Sequence, residues 1–549
     1  MQLVSEGQQN IILNGNPSKT FFKSTYSKYT NFGLQKFRVD FDGSRTLRLS
    51  EESNFTFKIP RYADLLMDCY LSVDLPSIWS SIIPPSNETG QQWVPYEFRW
   101  IEFIGAQMIS KITITCGNQT LQEFSGAYLL NSVLRDFSAD KKELFYQMIG
   151  HVPELYDPAT SGTRVNSYPN AYYTTSNSGA EPSIRGTTLY IPLNAWFNLK
   201  TQMAFPLISL QYNELHINVT MRPIQQLFQI RDVYDTVNNF PYVAPNFNQY
   251  YMQFYRFLQT PPDIELGVNS YLDTRTLWNA DIHLICTYGF LSNEESRLFA
   301  LQEQKYLFKQ VREQKFYNVT GSNRISLDSI GMIANWMFYF QRSDANLRNE
   351  WSNYTNWAYR YLPQDLIQGP TNGGWPVTLS NNTVIDIGPG VNTDGFLTGW
   401  MITGNYNFEN IKNILVGMGI LLDGIYRENQ QPAGVFNYIE KYTRASGSGT
   451  NGLYLYNFCM NSSNKELQPS GAMNMSRFSN IELEIITITP PMDPNAQSLA
   501  ICDPQTGNLI GINKPTWRIY DYNFDMVLFE ERYNIINFIG GNCGLLYAT

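Results

Sequence analysis

Histidine, cysteine and charge are all scarce in this chain, and each scarcity removes a class of function. The only histidines are His151, His216 and His283, and none has a second metal-type ligand at helical or hairpin spacing. No metal centre is expected, and each ring reads as exposed or hydrogen-bonded on a strand or loop. The cysteines are Cys69, Cys116, Cys286, Cys459, Cys502 and Cys543, with no CxxC among them. Buried free thiols made in a reducing compartment are expected, since a disulfide framework or zinc site would have to come from the fold alone. Only 16% of residues are charged, and the formal charge of -9 argues against a nucleic-acid coat, which needs Lys and Arg to neutralise phosphate. The longest apolar run, Ile414 to Leu422, is nine residues with two glycines. A membrane span needs about 20. The opening MQLVSEGQQN has no basic segment leading into an apolar core, so no signal peptide is expected and synthesis in the cytosol is.

Catalytic motifs are equally sparse. No Gly-rich loop runs into Lys and Ser/Thr, so there is no phosphate cradle. Gly417-Met418-Gly419 lacks a third glycine at the right spacing. Gly447-Ser448-Gly449 reads as a flexible tract and not as a nucleophile elbow. Carboxylates are abundant, but none is singled out for acid–base work, and a solvated surface is their default. No catalytic, cofactor-binding or metal-ligating residue is assigned, and the chain does not read as an enzyme.

What is present is aromatic and β-forming. The 549 residues suit two to four domains, and 15% are aromatic, with 36 Tyr and 33 Phe beside 28 Pro. Aromatic and β-branched residues favour strands while Asn, Gly and Pro favour turns, so the class is all-β with long loops. The clearest strand is Leu215 to Met221, where Leu215, Ile217, Val219 and Met221 alternate with His216, Asn218 and Thr220. It closes a strand–turn–strand unit that opens at Leu189 and passes Pro206. A matching unit runs from Leu453 past Pro469 to the alternating Ile481, Leu483 and Ile485. A second echo joins ISKITITCGNQ, from Ile109, to ILLDGIYR, from Ile420, with turns at Gly117 and Gly424. Two echoes in the same order indicate a duplicated β domain.

Other elements fall around these. Cys69, Leu71, Val73 and Leu75 read as the inward side of a strand, with Tyr70, Ser72 and Asp74 outward. Helical spacing marks Leu130, Val133, Leu134 and Phe137, and Ser138 is placed to cap a second helix with Leu144, Phe145 and Met148 on its apolar side. Ser292-Asn293-Glu294-Glu295 is a capping box, which predicts a linker helix from about Asn293 to Gln304. Thr20 to Lys23 and Tyr26 to Phe32 are β-prone. The aromatic cluster Tyr250, Tyr251, Phe254, Tyr255 and Phe257 has two readings, packing over its own barrel or a subunit contact. Trp351, Trp357 and Trp375 read as loop anchors before sugar platforms. Of the N-x-S/T sequons, Asn87, Asn318, Asn353, Asn381 and Asn461 are carried as candidate glycan sites.

Four motifs together resemble one family. GNP-TFFK-Y-YTNF at Gly15 to Phe32, PLISLQYNE at Pro206 to Glu214, QPSG--N-SR at Gln468 to Arg477 and the ending YNIINFIGGNCGLLYA are similar to the major capsid proteins of nucleocytoplasmic large DNA viruses. The resemblance covers nearly the whole chain. It implies a double jelly roll, two eight-stranded antiparallel sandwiches side by side and roughly normal to the capsid surface. The division it implies is an N-terminal arm at 1–19, a first jelly roll at 20–292, a linker helix at 293–305 and a second jelly roll at 306–549. Long loops would fall at 152–187 and 222–280 in the first roll and at 343–405 and 490–516 in the second. It further implies a homotrimer that forms a pseudo-hexagonal capsomer and tiles an icosahedral shell. Its partners would be neighbouring capsomers and penton and minor capsid proteins, with an inner membrane beneath the shell and no direct contact with nucleic acid. The place would be the virion, after assembly in the host cytoplasm. Two other classes stand beside it. One is a carbohydrate-processing or carbohydrate-binding β-sandwich, which needs a cleft with two convergent carboxylates. The other is a fibre or lectin-like cell-surface module, which would normally carry a secretion signal or disulfides.

Overall fold

The structure is a computed structural model that describes residues 8–549 apart from 42, 44–45, 91–92, 165–166, 172–179, 237–239, 263–266, 277, 361–374, 379–383, 388–389, 392–396, 399–410, 494–498, 514–519 and 548–549. Two barrels follow one another along the chain. The strands of the first are β1 (Phe32–Val39), β2 (Ser53–Lys58), β3 (Leu65–Leu75), β4 (Ile109–Cys116), β5 (Gln119–Phe124), β6 (Thr187–Pro192), β7 (Leu215–Met221) and β8 (His283–Leu291). Those of the second are β9 (Gln304–Phe316), β10 (Ser322–Ser326), β11 (Met332–Arg342), β12 (Leu415–Leu422), β13 (Ile425–Pro432), β14 (Leu453–Asn457), β15 (Ile481–Thr487) and β16 (Phe524–Ile539). The first barrel pairs them as β1-β8-β3-β6 facing β2-β7-β4-β5, and the second as β9-β16-β11-β14 facing β10-β15-β12-β13. Adding eight to each strand number of one barrel gives the other. That is the jelly-roll order twice over, with every ladder antiparallel.

The duplication extends to register. Ile217 on β7 stands opposite Phe57 and Ile114, and Leu483 on β15 stands opposite Ile325 and Ile420. Both strands bury every second residue, because one face lies on a core and the other meets solvent. The β12–β13 hairpin turns through Asp423 and Gly424, both at positive φ, which matches the right-handed twist of the strands it joins.

The strands β11 and β16 depart from that alternation for a reason visible in their sequences. MIANWMFYF on β11 is almost wholly apolar, and both its faces are covered. Trp336, Phe338 and Phe340 point into the second barrel's own core beside Tyr454, Leu483 and Leu528. Met337 and Tyr339 point the other way. They join Phe529, Leu455 and Phe308 in a core continuous with Leu71, Ile114, Ile217 and Leu284 of the first barrel. The interface between barrels is therefore an extension of the first barrel's core.

Helices α1 (Gln8–Asn14), α2 (Gly126–Asp136), α3 (Ala139–Met148), α4 (Asn293–Leu301) and α5 (Glu440–Arg444) punctuate the strands. The Ser292 hydroxyl accepts from the Glu295 N–H at 3.4 Å, the forward bond of the expected capping box. The helix ends at Leu301 and β9 opens at Gln304, so the linker is shorter than the expected 293–305. Four further expectations change. Residues 20–31 form no strand, although their aromatics are β-prone, because no described residue pairs with them: Phe22 is 100% exposed. Ser72 is buried where the alternation put it outside. Leu144 is exposed, leaving Phe145 and the half-buried Met148 as the inner side of α3. The 222–280 segment carries strand residues Phe228–Arg231, which pair with Phe98–Trp100 in a small sheet of their own.

Candidate functional site: the junction between the barrels

The junction between the two barrels holds the densest cluster of buried charges in the fold. It starts from two consecutive carboxylates, Glu530 and Glu531, in the middle of the apolar strand β16. Period 2 sends them to opposite faces. Glu530 turns into the second barrel, where Trp336 Nε1–H donates to it at 3.1 Å and the Ser329 hydroxyl also donates. Burial raises its pKa. Glu531 faces the first barrel and meets Arg135, near the end of α2, at 3.0 Å. Both side chains are 0% exposed.

Further groups engage the Arg135–Glu531 pair. Arg135 also pairs with Asp136 at 2.7 Å and reaches Asn335 Oδ1 at 3.3 Å. Glu531 accepts from Tyr128 Oη at 2.6 Å, Asn335 Nδ2 at 2.7 Å and Asn464 Nδ2 at 3.1 Å. Burial favours a neutral Glu531, but the Arg135 and Lys309 charges outweigh it and hold the carboxyl at about 2. Arg135 is raised well above its ordinary value: burial opposes its charge, and Asp136 and Glu531 overcome that. A buried ion pair stabilises only when its desolvation is compensated this completely.

Around this charge cluster the second barrel clasps the end of α2. The Gly447 N–H donates to the Arg135 carbonyl at 2.6 Å and the Gly449 N–H to the Leu134 carbonyl at 2.9 Å, which satisfies the open C-terminus of the helix. A Cβ on Gly447 would lie 2.7 to 2.8 Å from the carbonyl oxygens of Arg135, Leu134 and Phe137. The tract expected to be a flexible linker is a docking loop, and glycine is needed for the close approach of two backbones.

A second clasp lies at residues 345–360. Asn349 Nδ2 donates to the carbonyls of Gln225 and Phe228 at 2.8 Å, and Trp351 Nε1–H to that of Gln226 at 2.9 Å. Arg222 lies over the Trp351 ring at 4.4 Å. Trp351 is thus a loop anchor, and Lys412 covers Trp357 at 4.7 Å.

The other sequence-predicted residues lie away from the junction. In the aromatic cluster, Phe254 stacks toward Phe228 at 5.3 Å and Phe257 packs on Phe98 at 5.3 Å, both deeply buried. Tyr255 is also buried, against Tyr271. These three serve their own barrel and are not available to a second subunit. Tyr250 and Tyr251 are half-buried, with Tyr250 Oη paired to Tyr234 at 2.9 Å and Tyr251 Oη donating to Asp232 at 3.3 Å. Asn353 is removed as a glycan site: it is buried, and its amide donates to the Trp357 carbonyl while its oxygen takes the Thr355 hydroxyl. Asn87 and Asn318 are exposed, Asn461 is half-buried, and Asn381 lies outside the described residues. The Trp375 side chain is likewise outside them.

Cys69 and Cys286 face each other across β3 and β8 with sulfurs 3.4 Å apart, and all six cysteines are free, with Cys502 exposed against the expectation of burial. His151 is sandwiched between Phe103 and Tyr156, and burial lowers it to about 3. Among the described residues, no group of three His, Cys, Asp or Glu could hold a metal ion.

A polar groove of about 760 Å³ runs between the barrels past Glu52, Glu123 and Glu313. Each carboxylate there has its own partner: Ser110 on Glu52 at 2.7 Å, Lys111 on Glu123 at 3.4 Å and Lys315 on Glu313 at 3.2 Å. Each of the three is engaged separately, which is not the convergent pair a glycosidase needs.

Two family models match successive parts of the chain. Residues 20–259 match the major capsid protein N-terminus, and residues 295–544 match the large eukaryotic DNA virus major capsid protein. The chain belongs to this family. Among relatives, the major capsid proteins of Phaeocystis pouchetii virus and of Paramecium bursaria Chlorella virus 1 are each 23% identical over 100% of this chain and 99% of their own length. That of Chrysochromulina ericina virus is 27% identical over 60% of this chain, a match spanning only 54% of that relative. Among solved structures, the Faustovirus major capsid protein aligns over 97% of this chain and 94% of its own, with 12% identity and a TM-score of 0.61. A quasi-atomic model of the PBCV-1 virus capsid aligns over 96% of this chain and 100% of its own, with 18% identity and a TM-score of 0.58. The fold is thus the double jelly roll of the major capsid proteins. The chain is a major capsid protein of a large DNA virus, a structural component of the virion and not an enzyme.

The junction is the part that motif reading missed. Its signal was present: two adjacent carboxylates inside FDMVLFEERYNIINFI, and an Arg-Asp pair closing an otherwise apolar helix. Charges in such positions need partners.

Proposed function

We propose that this capsid protein acts as a homotrimer, three chains giving six upright barrels around a threefold axis and hence a pseudo-hexagonal capsomer. The supporting observation is the locked pair of barrels. The two have the same strand order and are fused through a shared apolar core and the buried Arg135–Glu531 cluster, so each chain supplies two similar, rigid corners. Capsomers then tile an icosahedral shell by burying surface between neighbours, with penton and minor capsid proteins completing it. In this reading the N-terminal arm, residues 1–14, lies on the inner side and reaches neighbouring or minor proteins. An inner membrane is met only indirectly, the acidic chain does not contact the genome, and assembly takes place in the host cytoplasm. The chain divides at α4, with one jelly roll on each side.

The test is the mass of the purified chain by light scattering on a sizing column. A species near three times 63.2 kDa that survives dilution is expected. A monomer at every concentration, together with no hexagonal arrays by electron microscopy, would sink the capsomer reading.

A further inference from the structure

Beside the junction lies a groove of about 620 Å³ that the capsid reading does not explain, formed where the start of α3 meets α5 and the 445–448 loop. Two lysines enter it from different barrels, Lys142 from α3 and Lys441 from α5. They are 7% and 6% exposed. The Lys142 ammonium donates to Ser448 Oγ at 3.1 Å, and that of Lys441 to Asn437 Oδ1 at 2.8 Å and the Thr450 carbonyl at 3.0 Å. All these acceptors are neutral. Among the described residues, no ion pair joins either ammonium to a carboxylate. Asp136, the acidic group whose charge Lys142 feels, is held by Arg135.

Buried cations of one sign are costly unless an anion joins them. Burial and the nearby Lys142 charge push Lys441 down to about 8, the direction expected of two neighbouring buried cations. The groove wall adds hydroxyls suited to an anion. Ser138 makes no capping bond to its own helix, and Ser446 and Ser448 line the same space. Tyr438 and Tyr442 are exposed at the rim.

We propose that this groove binds a phosphate-class oxyanion between Lys142 and Lys441, so that one ligand neutralises a cation from each barrel. The ligand would strengthen the same junction that the Arg135–Glu531 cluster holds. The test titrates the purified full chain with inorganic phosphate and with tripolyphosphate at pH 7 and constant ionic strength, read by calorimetry and thermal melting. Saturable binding and a raised melting temperature are expected for the wild type. Lys142→Gln should weaken binding about tenfold or more, the loss of one charged hydrogen bond. Ser448→Asp should abolish binding and raise the melting temperature without phosphate, because it supplies the missing negative charge. Both variants are first required to melt as cooperatively as the wild type, and Ser138→Ala stands in for any that does not, with weakened binding expected. No saturable binding to the wild type, or equal binding by the variants, would overturn the proposal.

Discussion

Arg135→Met tests the idea that one buried cation holds the two barrels together. The guanidinium is 0% exposed and meets Asp136 at 2.7 Å and Glu531 at 3.0 Å, so its removal leaves two buried carboxylates without their direct ion-pair partner. Breaking such a pair from one side costs about 3–5 kcal/mol. The same figure can be approached from Glu531. Its pKa falls from an ordinary 4.5 to about 2 in the folded chain. That difference corresponds to about 3 kcal/mol of stability. The sign follows from the depressed value. The contribution is present above pH 4.5 and is lost as pH falls toward 2. Guanidinium unfolding at pH 7, followed by tryptophan fluorescence, should show Arg135→Met less stable by that amount, with the transition broadening or splitting as the barrels uncouple. The wild type should lose stability between about pH 5 and 2, and the variant should lose much less over that range. Arg135→Met with Glu531→Leu should cost less than the sum of the two single changes, since the pair is then removed together. A loss under about 1 kcal/mol for Arg135→Met, or strict additivity in the double variant, would refute the argument.

Other expectations follow from neighbouring features. Gly447→Ala should lower stability by about 2 kcal/mol or more, because its Cβ would meet the carbonyl oxygens of Leu134, Arg135 and Phe137 at the end of α2 at 2.7 to 2.8 Å. Gly511→Ala, where a Cβ meets open space, should leave the melting temperature nearly unchanged. Trp351→Leu should cost about 2 kcal/mol through loss of the Gln226 hydrogen bond and the Arg222 stacking, with faster amide exchange confined to residues 345–360. Deleting residues 1–14 should spare the trimer by light scattering and impair array formation; a deletion that abolishes the trimer would show that the arm belongs to the capsomer itself. Intact mass spectrometry should match the bare 63.2 kDa chain if no sequon carries a glycan.

The duplication of a β domain was readable in the sequence because each barrel strand with one wet face records its burial at period 2; the jelly-roll form itself came with the family resemblance. Leu215–Met221 and Ile481–Thr487 are the plainest examples, and the glycines at 117 and 424 marked the matching hairpins. The capping box at Ser292 was readable for a similar reason, since its partners are three residues apart. Sequence resemblance supplied the family. What the sequence did not disclose depends on partners distant along the chain. Arg135 finds Glu531 nearly four hundred positions away, and no local pattern records that distance. Gly447-Ser448-Gly449 has the composition of a linker, yet it is fixed by the carbonyls of a helix in the other barrel. The aromatics at 250–257 suited an interface or a core equally well, and only packing placed Phe254 and Phe257 inside. Local periodicity is set by which face of an element is dry. Which charge meets which, and which loop docks where, is set by how the two finished barrels come to rest against each other.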